Sequence, residues 1–267
     1  MFSVLDMFTI GVGPSSSHTV GPMCAAQAFA SSLEESGAVS RVDRIRVVLY
    51  GSLSLTGLGH GTDRAILAGL EGNVPATVDT DYLLSVRERC AHDGTIHVNG
   101  TNAIAYDDDG DMVFDRWKRL APHPNGMRFQ AFDAQGNIID EQVWYSIGGG
   151  FIRRGRIDDA LISNHEQAPA SSQSPEDSGN DEAAEYGDGV PYPFVSCDGL
   201  IDLCRKHHLS IADVVWANET ARRSPQEVRD RLTRIWNVMS HCIDAGCASA
   251  TPTLPGGLDV PLSLIHI

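Results

Sequence analysis

Lysine is almost missing: Lys118 in "RWKRL" and Lys206 in "CRKHH" are the two in 267 residues. Neither sits in a glycine-rich setting, which argues against a pyridoxal phosphate enzyme with its Schiff-base lysine. Positive charge is scarce in general, 20 Lys and Arg against 35 Asp and Glu for a net charge of −15. No basic stripe exists to neutralise phosphates, so neither nucleic acid nor an anionic membrane is expected as a partner. A run of about 18 apolar residues is absent, as are the basic start and apolar stretch of a signal peptide, and the expected location is the cytoplasm. The six cysteines (Cys24, Cys90, Cys197, Cys204, Cys242, Cys247) contain no C-x-x-C pair, and are read as buried free thiols. Cys242 and Cys247 lie five apart, off a common helical face, which argues against a metal pair there. No Walker A or dinucleotide fingerprint is present: "GVGPSS" has glycines but no preceding strand.

What remains is an ordinary globular composition, 42% apolar and 21% charged, able to bury a core. Val20, Met23, Ala26, Ala30 and Leu33 fall at helical spacing, with Gly37 as a stop. "VDRIRVVLYG" alternates as a strand ending at Gly51. "TDRAILAGLEG" reads as a helix capped by Thr62 or Ser54 and closed by Gly72. From Val74 to Ile152 the signals are strand-like and turn-rich, with a hairpin across "AQGN". Between Ser163 and Val190 seven acids occur with no Lys or Arg, the composition of a flexible linker. An all-helical region begins near Ser196; its longest helix opens on a capping box, Ser224 with Glu227, and carries Val228, Leu232, Ile235, Met239 and Ile243 on one stripe. The fold class expected is α+β followed by helices.

Four polar clusters with glycines are the places for chemistry. "GVGPSSSHTVGP" sets Ser15, Ser16, Ser17, His18 and Thr19 at a helix entrance, where unpaired amides and hydroxyls can hold a carboxylate; one serine would suffice for simple capping. "GSLSLTGLGHGTD" carries His60 between two glycines, with Asp63 three residues on to orient or charge-match the imidazole, as a proton-abstracting base requires. "HPNGM" offers His123, Asn125 and Gly126, as a site loop or a plain turn. "YSIGGGF" suggests a bulge or a close backbone passage.

Together with "VPYPF", these stretches closely resemble the bacterial single-chain iron–sulfur L-serine dehydratases, from residue 1 to about 260 apart from the acidic insertion. The resemblance implies an allosteric-substrate-binding-like (serine dehydratase β) domain over 1–155, the acidic linker over 156–194, the first helices of an incomplete α-type domain over 195–260, and an aberrant tail over 261–267. It implies conversion of L-serine to pyruvate and ammonia with a [4Fe-4S] cluster as Lewis acid, in a homodimer when complete. By motif position Ser15, Ser16, Ser17, His18 and Thr19 match the substrate loop and His60 the base, with Asp63, His123, Asn125 and Gly126 in support; His123 stands as the alternative base. The family's cluster cysteines follow "PGGLDV", where this chain reads "PLSLIHI". None of its six cysteines is therefore expected to bind the cluster, and the chain is expected to be a fragment, inactive alone. The competing expectation is a non-catalytic serine-binding regulatory domain, resembling that of some phosphoglycerate dehydrogenases. A β subunit of a two-chain dehydratase would carry an ACT-type domain in place of the helices.

Overall fold

The computed structural model describes residues 3–164 and 189–249. Residues 11–164 form one compact unit, and residues 3–10 with 189–249 form another.

The first unit is built on β1 (Arg44–Tyr50), whose Ile45, Val47 and Leu49 point into the core. α1 (Gly21–Glu35) lays Met23, Ala26, Phe29, Ala30 and Leu33 on one buried face, as the spacing predicts, and Phe29 stacks on Phe129 of the sheet at 5.2 Å. After β1 come α2 (Ser52–Thr56), α3 (Thr62–Leu70) and α4 (Thr80–Asp93). The chain continues through β2 (Thr95–Val98), β3 (Asn102–Ala105), α5 (Asp108–Asp111), β4 (Met112–Asp115) and β5 (Lys118–Leu120). It closes with β6 (Gly126–Phe132), β7 (Ile138–Gly148), β8 (Phe151–Arg154) and β9 (Leu161–Ser163). The main sheet runs β2-β3-β1-β6-β7-β8, with β4 also parallel to β1 from Val47–Met112 to Tyr50–Asp115. β6 pairs antiparallel with both β1 and β7, so the expected hairpin forms. A register shift between Ser146 and Gly148 marks the expected bulge.

Three expectations need correction. α4 occupies part of the stretch read as strand-like; Asp79 caps it, accepting from the Tyr82 amide at 2.8 Å, and it buries only Leu83, Val86 and Cys90. Neither Thr62 nor Ser54 caps α3, since Gly61 is the N-cap and both hydroxyls serve other carbonyls. Of the cysteines only Cys90 is buried, Cys24 and Cys204 are half-buried, and Cys197, Cys242 and Cys247 are exposed. β9 pairs with β5 beyond residue 155, while residues 165–188 of the acidic stretch and the tail 261–267 lie outside the described residues.

In the second unit, α6 (Cys197–His207), α7 (Ile211–Thr220) and α8 (Pro225–Ala248) follow in order, α6 capped by Ser196. Ser224 accepts from the Glu227 amide, but the reciprocal capping box is at Ser210 and Asp213. Glu227 instead lies 3.9 Å from both Arg223 and Arg231. Asn218 exchanges two hydrogen bonds with the Tyr192 backbone, at 2.9 and 2.8 Å. The amino-terminal segment belongs here: the Ser3 hydroxyl and the Val4 amide both donate to Glu219 at 2.8 Å.

Candidate functional site

The serine run is not an ordinary first turn of α1. Ser16–Val20 form a π-helical turn, in which the amides of Val20 and Gly21 reach back five residues to the carbonyls of Ser15 and Ser16. Such wide turns recur at functional sites because they push side chains off the regular helical path. Ser15 caps the turn, accepting from the His18 amide at 3.2 Å. Ser16 faces solvent. Ser17 Oγ meets His18 Nδ1 at 2.8 Å, and the other ring nitrogen, Nε2, meets Ser52 Oγ at 2.9 Å. Both nitrogens of His18 are thus occupied, and burial, then the neighbouring charge of His60, holds its pKa below 6.5 despite an opposing contribution from Ser52.

His60 lies directly against this loop. Its ring centroid is 4.9 Å from that of His18, at 41°. Two hydroxyl–carbonyl bonds cross between the segments: Thr19 Oγ1 donates to the His60 carbonyl at 2.8 Å, and Thr62 Oγ1 donates to the His18 carbonyl. His60 Nδ1 stands 2.9 Å from the Thr56 carbonyl. A carbonyl only accepts, so Nδ1 carries the proton and the neutral ring keeps its lone pair on Nε2. No described residue bonds that nitrogen.

The third and fourth clusters reach the same locality through backbone. The Ser52 amide donates to the Pro124 carbonyl at 2.9 Å, and a Cβ on Gly51, which has φ 57°, would collide with that carbonyl; glycine is required for this approach. Asn125 is paired on both sides with Ser146: its carbonyl accepts from the Ser146 amide at 3.1 Å, and its Nδ2 donates to the Ser146 carbonyl at 3.1 Å. Gly126 is buried and opens β6. His123 Nδ1 accepts from the Asn125 amide at 3.1 Å, leaving Nε2 as the protonated nitrogen of the neutral ring. Burial, then the charge of Arg153, lowers its pKa.

Asp63 departs from the expected role. Its carboxylate pairs with Arg87 of α4, not with the His60 ring, whose Nδ1 is held by Thr56. Ser52 and Ser146 were not singled out by the sequence patterns, and Thr62 was read only as a helix cap. Ser52 and Thr62 touch His18 directly, while the Ser146 hydroxyl is buried with no partner among the described residues. Their signal was faint: Ser52 and Thr62 lie inside the second cluster and Ser146 inside the fourth, but nothing local ranks one hydroxyl above another.

α1 and α3 thus begin beside each other in an α+β domain, with a hydroxyl-rich turn and two histidines at their starts. Residues 3–156 match the serine dehydratase beta chain family, and the chain belongs to it. It is 41% identical to the L-serine dehydratase of Streptomyces coelicolor over 97% of this chain and 52% of that protein. Identity is 38% to L-serine dehydratase 1 of Escherichia coli and 35% to the L-serine dehydratase of Haemophilus influenzae, each over 98% of this chain and 52% of theirs. The chain spans about half the length of the curated relatives it matches.

Proposed function

We propose that this chain supplies the substrate-holding and proton-abstracting half of an L-serine dehydratase. The observation that carries the reading is the meeting of the serine turn with His60, ring to ring at 4.9 Å and locked by Thr19. Ser15, Ser16 and Ser17 provide hydroxyls at a helix entrance for the carboxylate of L-serine, where that charge is favoured and grows as the α-carbon becomes carbanion-like, while the buried Thr19 spends its proton on the His60 carbonyl and holds the turn in place. The free Nε2 of His60 takes the α-proton. His123, with its proton on Nε2, suits a donor better than a base, and Asn125 and Gly126 hold its loop. Loss of the β-hydroxyl gives aminoacrylate, which tautomerises and hydrolyses to pyruvate and ammonia.

The described cysteines do not fit the iron–sulfur cluster that the resemblance implies. No group of three or more His, Cys, Asp or Glu side chains able to hold a metal occurs among the described residues. Burial pushes the Cys90 thiol up to about 11 and raises that of Cys24, away from the thiolate form that iron requires. The ligands are assigned to the part of the relatives that this chain does not span. The helices of residues 189–249 support the same reading, because α8 exposes Trp236 (61%), Met239 (43%) and Ile243 (57%) along one face, as the opening of a larger helical layer would.

The test joins this chain, through residue 248, to the remaining half of the Streptomyces coelicolor protein. The joined enzyme is expected to release pyruvate from L-serine. His60→Ala should lower kcat by about 10²- to 10⁴-fold, with KM moving far less. The chain by itself should stay colourless and inactive after anaerobic iron–sulfide treatment. A brown, active preparation would place the ligands within this chain and overturn their assignment elsewhere. L-serine binding that survives while the joined enzyme produces no pyruvate would favour the regulatory-domain reading.

A further inference from the structure

One side chain outside every glycine-rich cluster ties the histidine locality to the rest of its domain. Arg87 of α4 forks onto Asp108 through Nε at 3.0 Å and Nη2 at 2.8 Å, and turns its Nη1 to Asp63 in the first turn of α3. Asp108 is held in turn by the Tyr106 hydroxyl at 2.7 Å. The Asp63 side chain is only 4% exposed. Its Oδ1 has no partner and Arg87 is its sole hydrogen-bonding side chain among the described residues.

We propose that Arg87 is a positioning residue for the His18–His60 pair, acting through Asp63 and Thr62. Asp63 is bonded through one peptide to Thr62, whose hydroxyl holds the His18 carbonyl, and Gly61 then leads back to His60. With Arg87 removed, a buried carboxylate is left without its counter-charge, a state strongly disfavoured in a desolvated setting. Moving Asp63 toward water turns the first residues of α3, releases Thr62 from His18, and separates the two rings. Arg87 is suited to this because one planar guanidinium satisfies two carboxylates at fixed angles, which an ammonium does not.

The inference rests on the serine dehydratase reading only for what the ring pair does, so its test has a readout independent of turnover. In the 267-residue chain, the imidazole NMR cross-peaks between His18 and His60 and the affinity for L-serine are compared in wild type, Arg87→Met and Arg87→Lys. Arg87→Met is expected to keep a cooperative melt, lose the inter-ring cross-peaks, and bind L-serine about tenfold more weakly, while Arg87→Lys restores part of both. A folded Arg87→Met with unchanged cross-peaks and affinity overturns the proposal. Should Arg87→Met fail to fold, Arg87→Lys decides alone: altered His60 signals support the proposal, and wild-type ones defeat it. Wild-type chain that shows the ring cross-peaks but never binds L-serine would sink the functional reading and leave the positioning role to be judged by NMR.

Discussion

His18 and His60 sit side by side yet differ in what their ring nitrogens meet. His18 has both nitrogens engaged by serine hydroxyls, while His60 has one nitrogen fixed on a carbonyl and one open. The half-buried rings of His18 and His123 both have folded-state pKa values below the ordinary 6.5. The unfolded chain therefore takes up those protons more readily. Their contribution to stability is full above pH 6.5 and is lost as pH falls below that value and through the lower folded-state pKa. Denaturation midpoints at pH 7.5 and pH 5.0 should differ less in His18→Gln than in wild type; equal differences would mean that His18 is not the titrating group. At this scale the sequence marked the serine run as unusual, since five polar side chains at a helix entrance exceed what capping needs, and the π-helical turn falls on that run. It said little about partners. Asp63 looked like a companion for His60 because the two are three apart, but the pairing is decided by α4, which brings Arg87 across from a distant part of the chain.

At the scale of elements, strongly patterned segments were legible and weakly patterned ones were not. α1, β1 and the β6–β7 hairpin have buried positions at the spacing that their backbone dictates. α4 escaped because its buried face is only Leu83, Val86 and Cys90 on an otherwise polar helix; the Asp79 cap and the left-handed Gly94 that ends it were the available signals. The π-helical turn has no period long enough to read, and its register depends on the Thr19 and Thr62 bonds to the opposing segment. Helices α1 and α3 must approach closely for their starts to share one site. A Cβ at Gly69 would fall on the Met23 carbonyl and against the Ala26 side chain. Gly69→Ala is expected to cost about 1–3 kcal/mol, since backbone at a helix crossing yields little. Chemical denaturation measures it, and a loss within experimental error would mean that the crossing can spread.

On the scale of the molecule, composition separated the strand-rich part from the helices by its acidic stretch, but the assignment of the amino terminus needed tertiary contacts. Residues 3–10 pack with the helices: Glu219 receives the Ser3 hydroxyl and the Val4 amide and is also paired with Arg223 at 2.8 Å. No periodicity could foretell a bond between residues 3 and 219. Glu219→Ala should therefore lower the melting temperature of the helical unit while the unit of residues 11–164 melts as before, followed by circular dichroism and near-ultraviolet absorbance. The exposed stripe of α8 leads to the opposite expectation. Trp236→Glu should change the stability of this chain by no more than about 0.5 kcal/mol, yet weaken the enzyme joined to the second half of the Streptomyces coelicolor protein. Equal destabilisation of both would show the indole to be covered already.

Because Glu219 holds residues 3 and 4, the described residues of the sheet-bearing unit lie in chain order between two stretches of the other unit. A fluorophore attached at residue 3 would thus watch the helices, even though the next motif along the sequence is the serine turn. Splitting the gene between residues 10 and 11 would separate the codons of one folding body, not divide two.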